Sequence, residues 1–308
     1  MIDNSILSLK DVSVQYENGT WGIKNITLDF HSGKVIGLIG SNGAGKSTLM
    51  NALVGIQSVT NGEVILNLRD IDRKRPFASY GWSPQRQAID WYLNVFDNVV
   101  FGPLLAGYSL KDSKSLAEKA LKLVGLFEQR EKMADSLSGG QQQRIQVARA
   151  LAHNPNIYIL DEPTTGLDAE STEVLMKYLS EKSEEGCLVI ISSHDLYSIE
   201  KYCDIILFLN NGEVEYYEKK EDFLNRFSSF DVIEITTDTP SDDIDLDSLN
   251  LDYRIQGDST IVIKLSPTEN INDMLTQISN RINIISMNRK NPSLKDIYLS
   301  IKGGVNND

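Results

Sequence analysis

The chain has 308 residues, 41% of them apolar, enough to build a hydrophobic core in each of two domains. Its 43 acidic against 30 basic residues leave a net charge of −13, which argues against a general nucleic-acid or anionic-membrane binder, because neutralising phosphates takes a basic face. Cys187 and Cys203 are too few for a disulfide framework, and each sits in or beside an apolar stretch, so free thiols in a reducing compartment are expected.

Met1–Ser5 lacks a basic region followed by an apolar core, and no apolar run approaches the roughly 20 residues that cross a bilayer. The expectation is a chain that is soluble, or held at a membrane only through a partner. From Ile6 to about Phe30, alternation in Leu7–Val14 and Ile26–Phe30 predicts half-buried antiparallel strands, with Asn18-Gly19 as the turn. Val35–Ile39 is a short apolar run of the buried-strand type. It leads into Gly40-Ser41-Asn42-Gly43-Ala44-Gly45-Lys46-Ser47, a phosphate-binding loop: glycines let backbone N–H groups wrap the phosphates, Lys46 adds a point charge and Ser47 a Mg²⁺ ligand. Ser47–Leu53, with Thr48 in its first turn, opens a helix whose positive N-terminus faces the anion.

Ser58 to Trp82 reads as strand-rich, and Ser109 to Arg130 has helical spacing at Leu116, Ala120, Leu123 and Val124. Parallel-strand candidates follow at Ile157–Leu160, Leu188–Ser192 and Ile205–Leu209, interleaved with helices Gln141–Ala152 and Ser171–Ser183. This order predicts an α/β core with an antiparallel edge and a helical subdomain. Between Glu218 and Phe230 the pattern turns charged and loosely helical, and the domain boundary is placed there. Beyond it, strands at Asp231–Thr237, Ser259–Leu265 and Ile282–Asn288 and helices at Ile271–Arg281 and Ser293–Ile301 predict a small α+β domain. Asp238, Asp242, Asp243, Asp245, Asp247 and Asp252 read as a solvated loop, since a Ca²⁺ loop would carry glycine and close with glutamate.

Asp161-Glu162 ends the apolar run Ile157–Leu160, so a buried parallel strand delivers two acids to the crevice where such sheets bind ligands. Adjacent positions point opposite ways, which suits two tasks: Asp161 toward Mg²⁺, and Glu162 toward an attacking water as general base. Leu137-Ser138-Gly139-Gly140-Gln141 is a second glycine-bearing turn opening a helix, hence a second anion site, and one nucleotide rarely needs both from one subunit. By themselves, His194 at another strand end reads equally as a structural histidine, and Tyr16 reads as core.

In the order and spacing of these motifs over about residues 6–220, the chain resembles a subunit of the ATP-binding-cassette (ABC) family. The resemblance implies a P-loop NTPase α/β fold in residues 1–220, with a RecA-like core, an antiparallel β edge and a helical subdomain at about 86–150. A linker at 221–230 and a small C-terminal α+β domain at 231–308 complete the chain. It also implies ATP and Mg²⁺ as cofactors, and two cassettes packed head to tail with ATP between the phosphate loop of one and Ser138, Gly139, Gly140 and Gln141 of the other. On this resemblance Gly40, Ser41, Asn42, Gly43, Ala44, Gly45, Lys46, Ser47 and Thr48 hold nucleotide, and Lys46 grips the β- and γ-phosphates. Ser47, Gln85 and Asp161 serve Mg²⁺, Glu162 is the base, His194 contacts the γ-phosphate, Asp168 lines the dimer seam and Tyr16 stacks on adenine. Ser41 stands where proline is common in the family and is expected to point away from the phosphates.

Gln87–Val95 is rich in large apolar side chains where such cassettes receive a membrane partner; Trp91 and Tyr92 read equally as that interface or as subdomain packing. The last helix, Asn291–Leu299, resembles the end of an accessory domain found on cassettes of the drug- and antibiotic-export type. The expectation is therefore an ATP-hydrolysing subunit at the cytoplasmic face of the membrane, a homodimer that energises export through a separate membrane-spanning chain and binds no nucleic acid. Import, lipid or ion transport is the alternative within the same chemistry. A soluble cassette on ribosomes or DNA is disfavoured by acidity and by the single cassette, and a phosphate-loop kinase would not explain the signature turn.

Overall fold

In the computed structural model, which describes residues 5–68, 75–86, 88–227, 230–240, 244, 246, 249, 251–266 and 270–304, the chain divides into two compact units, Met1–Lys220 and Glu221–Asp308.

The first unit opens with β1 (Ser5–Gln15) and β2 (Trp21–His31), antiparallel as their alternation predicts. β3 (Lys34–Ile39) is buried after its first residue and runs through the glycine loop into α1 (Lys46–Val54). The strand-rich stretch then splits between two sheets. β4 (Asn61–Leu66) returns to β1, closing a three-stranded antiparallel sheet in the order β2-β1-β4, whereas β5 (Tyr80–Ser83) joins the other sheet. Three helices follow, α2 (Val95–Ala106), α3 (Leu110–Leu123) and α4 (Gly139–Leu151).

The remaining elements are β6 (Ile157–Asp161), α5 (Ala169–Glu184), β7 (Leu188–Ser192), α6 (Leu196–Tyr202), β8 (Ile205–Asn210) and β9 (Glu213–Lys219). They build a six-stranded sheet, β5-β6-β7-β3-β8-β9, parallel except for β9 against β8. Every residue of β6 and β7 is buried, the pattern of strands covered on both faces. Leu7, Leu9 and Phe30 of the antiparallel sheet share a core with Ile36, Leu38, Leu49, Met50, Ile157 and Ile159. That core fixes α1, and with it the glycine loop, over the ends of the parallel strands.

After α7 (Lys220–Arg226), the second unit contains β10 (Asp231–Thr237), β11 (Asp252–Gln256), β12 (Thr260–Leu265), α8 (Ile271–Ser279), β13 (Ile284–Lys290) and α9 (Leu294–Gly304). Its sheet order, β11-β12-β10-β13 with antiparallel neighbours throughout, is that of a split β-α-β unit. Ile233, Ile235, Ile261 and Ile263 pack with Met274 and Ile278 of α8. Of the aspartate-rich stretch, Asp238 and Asp252 are exposed, while Asp242, Asp243, Asp245 and Asp247 lie outside the described residues. Among the described residues no helix is long and apolar enough to cross a membrane. Both cysteines are unbridged, and burial pushes each thiol above its ordinary value.

Candidate nucleotide-binding site

The strand order sets the C-terminal ends of β6, β7 and β3 side by side, where open parallel sheets take ligands. There a cleft of about 450 Å³ is lined by Asn42, Gly43, Gly45, Lys46, Ser47 and Thr48 of the loop and α1, by Asp161, Glu162 and His194 from strand ends, by Gln85 just past β5, and by Tyr16, Thr20, Trp21 and Gly22 from the first hairpin. α1 starts without a side-chain cap, so its first turn is open to an anion. Gly45 precedes it at φ 104, and a Cβ there would fall 2.3 Å from the Gly22 carbonyl oxygen, so only glycine fits. Lys46 Nζ donates to the carbonyls of Gly40 at 2.9 Å and Ser41 at 3.1 Å, folding the cation over its own loop. Gly40, Ser41 and Ala44 shape that loop rather than line the cleft; the Ala44 N–H donates to the Ser41 carbonyl at 3.1 Å.

Asp161 is 2% exposed, its Oδ2 accepting from Ser47 Oγ at 2.7 Å and its Oδ1 from Ser192 Oγ at 2.5 Å. Glu162 leaves strand geometry at φ 52, in the left-handed region, where a side chain costs roughly 1–2 kcal/mol. That departure corrects the expectation of opposite faces: both acids line one cleft. The Glu162 N–H donates to Ser192 Oγ at 3.0 Å, its Oε2 accepts from the His194 N–H at 3.2 Å, and His194 Nε2 stands 3.4 Å from its Oε1. Oε1 itself is buried and accepts no hydrogen bond among the described residues, so it has capacity for one O–H donor. Burial raises the Glu162 carboxyl above its ordinary value, against the pull of His194 and Lys46. A base so raised is better matched to taking a proton near neutral pH.

With Ser47 and Asp161, the exposed Gln85 gives the cleft an all-oxygen donor set, the chemistry Mg²⁺ prefers. Tyr16 is 42% exposed at the cleft, its hydroxyl sharing a 2.6 Å hydrogen bond with Thr48 Oγ1, so it is not a core residue. Thr20, Trp21 and Gly22 line the cleft and Ser192 adjoins it through Asp161, and the sequence does not single out any of them. Ser192 could be found only by knowing that it pairs in register with Asp161 on the next strand.

Ser138, Gly139, Gly140 and Gln141 do not line this cleft, nor does Asp168. Ser138 and Gln141 form a reciprocal cap at the start of α4: the Ser138 N–H donates to Gln141 Oε1 at 3.0 Å and the Gln141 N–H to Ser138 Oγ at 3.4 Å. Ser138 and Gly139 are exposed. The exposed Asp168 carboxylate caps α5 by accepting from the Ser171 N–H at 2.7 Å, and that bond holds it below its ordinary value. Tyr92 is 90% exposed and Trp91 42%, so Tyr92 is not packed inside the helical subdomain. Near α2, Phe77, Tyr80, Trp82 and Leu105 line a groove of about 370 Å³.

Residues 23–165 match the family model described as ABC transporter. The chain is 38% identical over 222 residues to the manganese transport system ATP-binding protein MntB of Halalkalibacterium halodurans, covering 69% of this chain and 86% of that protein. It is 33% identical over 218 residues to the methionine import ATP-binding protein MetN of Carboxydothermus hydrogenoformans, covering 68% and 65%. Among solved structures, the dimeric bacterial ABC transporter cassette MJ0796 is similar at TM-score 0.63 and 30% identity over 70% of this chain and 98% of that one. The same cassette has also been solved in a dimeric post-hydrolysis state bound to ADP and Pi, with the same similarity.

Proposed function

The chain belongs to the ABC transporter family, and from that premise we propose that it is the ATPase of a transport system whose membrane-spanning part is a separate polypeptide, working as a homodimer at the cytoplasmic face and driving export. The P-loop NTPase fold, ATP hydrolysis and the use of ATP with Mg²⁺ are properties of that family. The observation that carries the reading is a half-site. One chain gathers the phosphate loop, Gln85, Asp161, Glu162 and His194 in a single cleft, while its exposed signature turn lies elsewhere. A second copy placed head to tail supplies that turn, whose helix N-terminus faces the phosphates, and Asp168 lies along the seam.

Within the cleft, Tyr16 stacks on adenine, and Lys46, drawn from the Gly40 and Ser41 carbonyls, takes the β- and γ-phosphates. Ser47, Gln85 and Asp161 would hold Mg²⁺, which when bound would withdraw charge from the phosphate oxygens. Glu162 Oε1 accepts the proton of the water whose oxygen attacks the γ-phosphorus, and the bond to ADP breaks. His194 keeps that carboxylate aimed and contacts the γ-phosphate. The groove beside Phe77 and Leu105, with the exposed Tyr92 and Trp91, gives the membrane subunit an apolar landing surface.

Export rests on the closing segment Asn291–Leu299, whose Pro-Ser-Leu with an acid and an aromatic resembles export-type tails. Import is the second reading, favoured by the name of the methionine importer among the relatives. Capture of tagged Glu162→Gln protein from gently solubilised membranes with Mg²⁺ATP tests the core of the proposal: a multi-span membrane protein is expected, and ribosomal or DNA-bound material alone overturns it. Loss of the gene separates the two directions, since an exporter leaves cells hypersensitive to toxic compounds and an importer leaves a growth defect cured by a supplied nutrient.

A further inference from the structure

One buried glutamine turns its amide nitrogen to the two segments that carry Gln85 and Asp161. Gln143, on α4 and 6% exposed, donates from Nε2 to the Pro84 carbonyl at 3.2 Å and to the Asp161 carbonyl at 3.2 Å. Its Oε1 accepts from Gln146 Nε2 at 2.7 Å. Gln146, fully buried, accepts the Ala88 N–H at 2.5 Å, and Arg149 donates to the Ala88 carbonyl at 2.5 Å. Positions 143, 146 and 149 recur every three residues on one side of α4, so a single helix face grips the chain on both sides of Gln85 and also the end of β6. The helix carrying this ladder begins at Ser138–Gln141.

We infer that Gln143 is a positioning residue for the Mg²⁺ donors: by holding two carbonyls to one nitrogen it fixes how far the Gln85 segment stands from the Asp161 end of β6. The inference rests on the reading that Ser47, Gln85 and Asp161 hold Mg²⁺. The β5–β6 pairing ends at Ser83 and Leu160, and Gln85 sits on an exposed loop one residue past the gripped Pro84 carbonyl, so the grip carries the spacing of the two segments beyond the end of that ladder. Outer partners of this kind set ligand orientation and are worth about 10–100-fold in metal affinity.

The test is calorimetric titration of ATP, with Mg²⁺ and with EDTA, into Glu162→Gln protein that also carries Gln143→Met or Gln85→Ala. Gln143→Met keeps the side chain's length and removes both donors; Gln143→Glu, the same shape without amide donors, replaces it if the first variant does not fold. The tightening of ATP binding by Mg²⁺ is expected to fall at least about tenfold with Gln143→Met, with affinity in EDTA unchanged within about twofold although the variant lowers the melting temperature. An undiminished Mg²⁺ effect in the Gln143 variant, with a diminished one in Gln85→Ala, overturns the inference alone. An undiminished effect in both overturns the metal reading and the inference with it.

Discussion

His194 meets Glu162 at both ends of its carboxylate in different ways: its backbone N–H donates to Oε2 at 3.2 Å, whereas its Nε2 stands 3.4 Å from Oε1 without a hydrogen bond. The backbone bond survives any substitution of the imidazole, so the two contacts separate cleanly. Glu162→Gln is expected to lower turnover by about 10²–10⁴ while ATP still binds, because the amide keeps the acceptor for the His194 N–H but takes no proton. His194→Ala is expected to lower turnover less. Single-turnover hydrolysis and ATP titration of the two variants check this, and a parental rate for Glu162→Gln refutes the base.

Glu162 also ties activity and stability to pH. Burial lifts its carboxyl above the ordinary value, so the active carboxylate forms only as pH rises through that higher value, and turnover is expected to climb there. For stability the sign is opposite: a raised folded value favours the native state while the group is protonated, and that contribution is lost as pH rises through it. Glu162→Gln is therefore expected to melt higher than the parent at neutral pH, with the gap closing in acid below the ordinary carboxylate range. Thermal melts of both proteins from neutral to acidic pH measure the gap.

At the other end of the cleft, Tyr16 and Trp21 are both partly exposed on its wall, and the Tyr16 hydroxyl is tied to Thr48. Removing the ring by Tyr16→Ala is expected to weaken ATP about fivefold, near 1 kcal/mol, the scale of one aromatic pair. In protein whose other two tryptophans are replaced by phenylalanine, ATP is expected to change Trp21 emission. Fluorescence titration gives both results at once, and unchanged emission would remove Trp21 from the site.

The sequence shows the loop, the acid pair and the main strands because each is local: the glycine spacing marks a phosphate loop, and Ile157–Leu160 is uniformly apolar because both its faces are covered. Elements outside such patterns escape it. α2 carries Pro103 within it and is rich in apolar residues around much of its circumference, so no helical stripe stands out. β11 lies at the end of the aspartate-rich stretch and hides behind its charges. The site residues that stay hidden, Ser192 and Gln143, owe their place to strand order and to helix docking, and both are long-range facts. Tyr16 and Glu162 show the converse: alternation alone makes one core and points the other away from Asp161, until the hairpin edge and a left-handed backbone decide otherwise.

The signature turn and the Asp168 segment meet at two glycines. A Cβ on Gly140 would stand 2.9 Å from the Gly166 Cα, and one on Gly166, at φ 77, would stand 2.6 Å from the Gly140 Cα. Gly166→Ala thus combines left-handed strain of roughly 1–2 kcal/mol with overpacking of about 1–3 kcal/mol, the second of which is released by parting the two segments. ATP affinity of the single chain is expected to hold, since neither glycine lines the cleft, while ATP-driven dimerisation in the Glu162→Gln background is lost. Light scattering with Mg²⁺ATP decides it; a stable dimer of the double variant would mean the contact is dispensable.

In the second unit, Asp296 ties α9 to the sheet. Burial alone would raise its carboxyl, but the Ser293 hydroxyl at 2.6 Å, the Ser293 N–H at 3.0 Å and the Arg254 guanidinium at 2.5 Å outweigh it and hold the group below its ordinary value. A depressed carboxyl contributes stability that is complete above the unfolded value and disappears as pH falls through the folded one. Asp296→Asn is accordingly expected to lower the melting temperature of this unit at pH 7, because the amide removes the charge facing Arg254 and turns N–H donors toward either Ser293 or Arg254, and to lose that deficit progressively once pH drops below the ordinary 3.8. Arg254→Met, which leaves the Ser293 bonds in place, is expected to cost less at pH 7 and to show a smaller change on acidification. Scanning calorimetry of the three proteins at pH 7 and in acid measures both deficits; an Asp296→Asn deficit independent of pH would assign the cost to packing instead of charge.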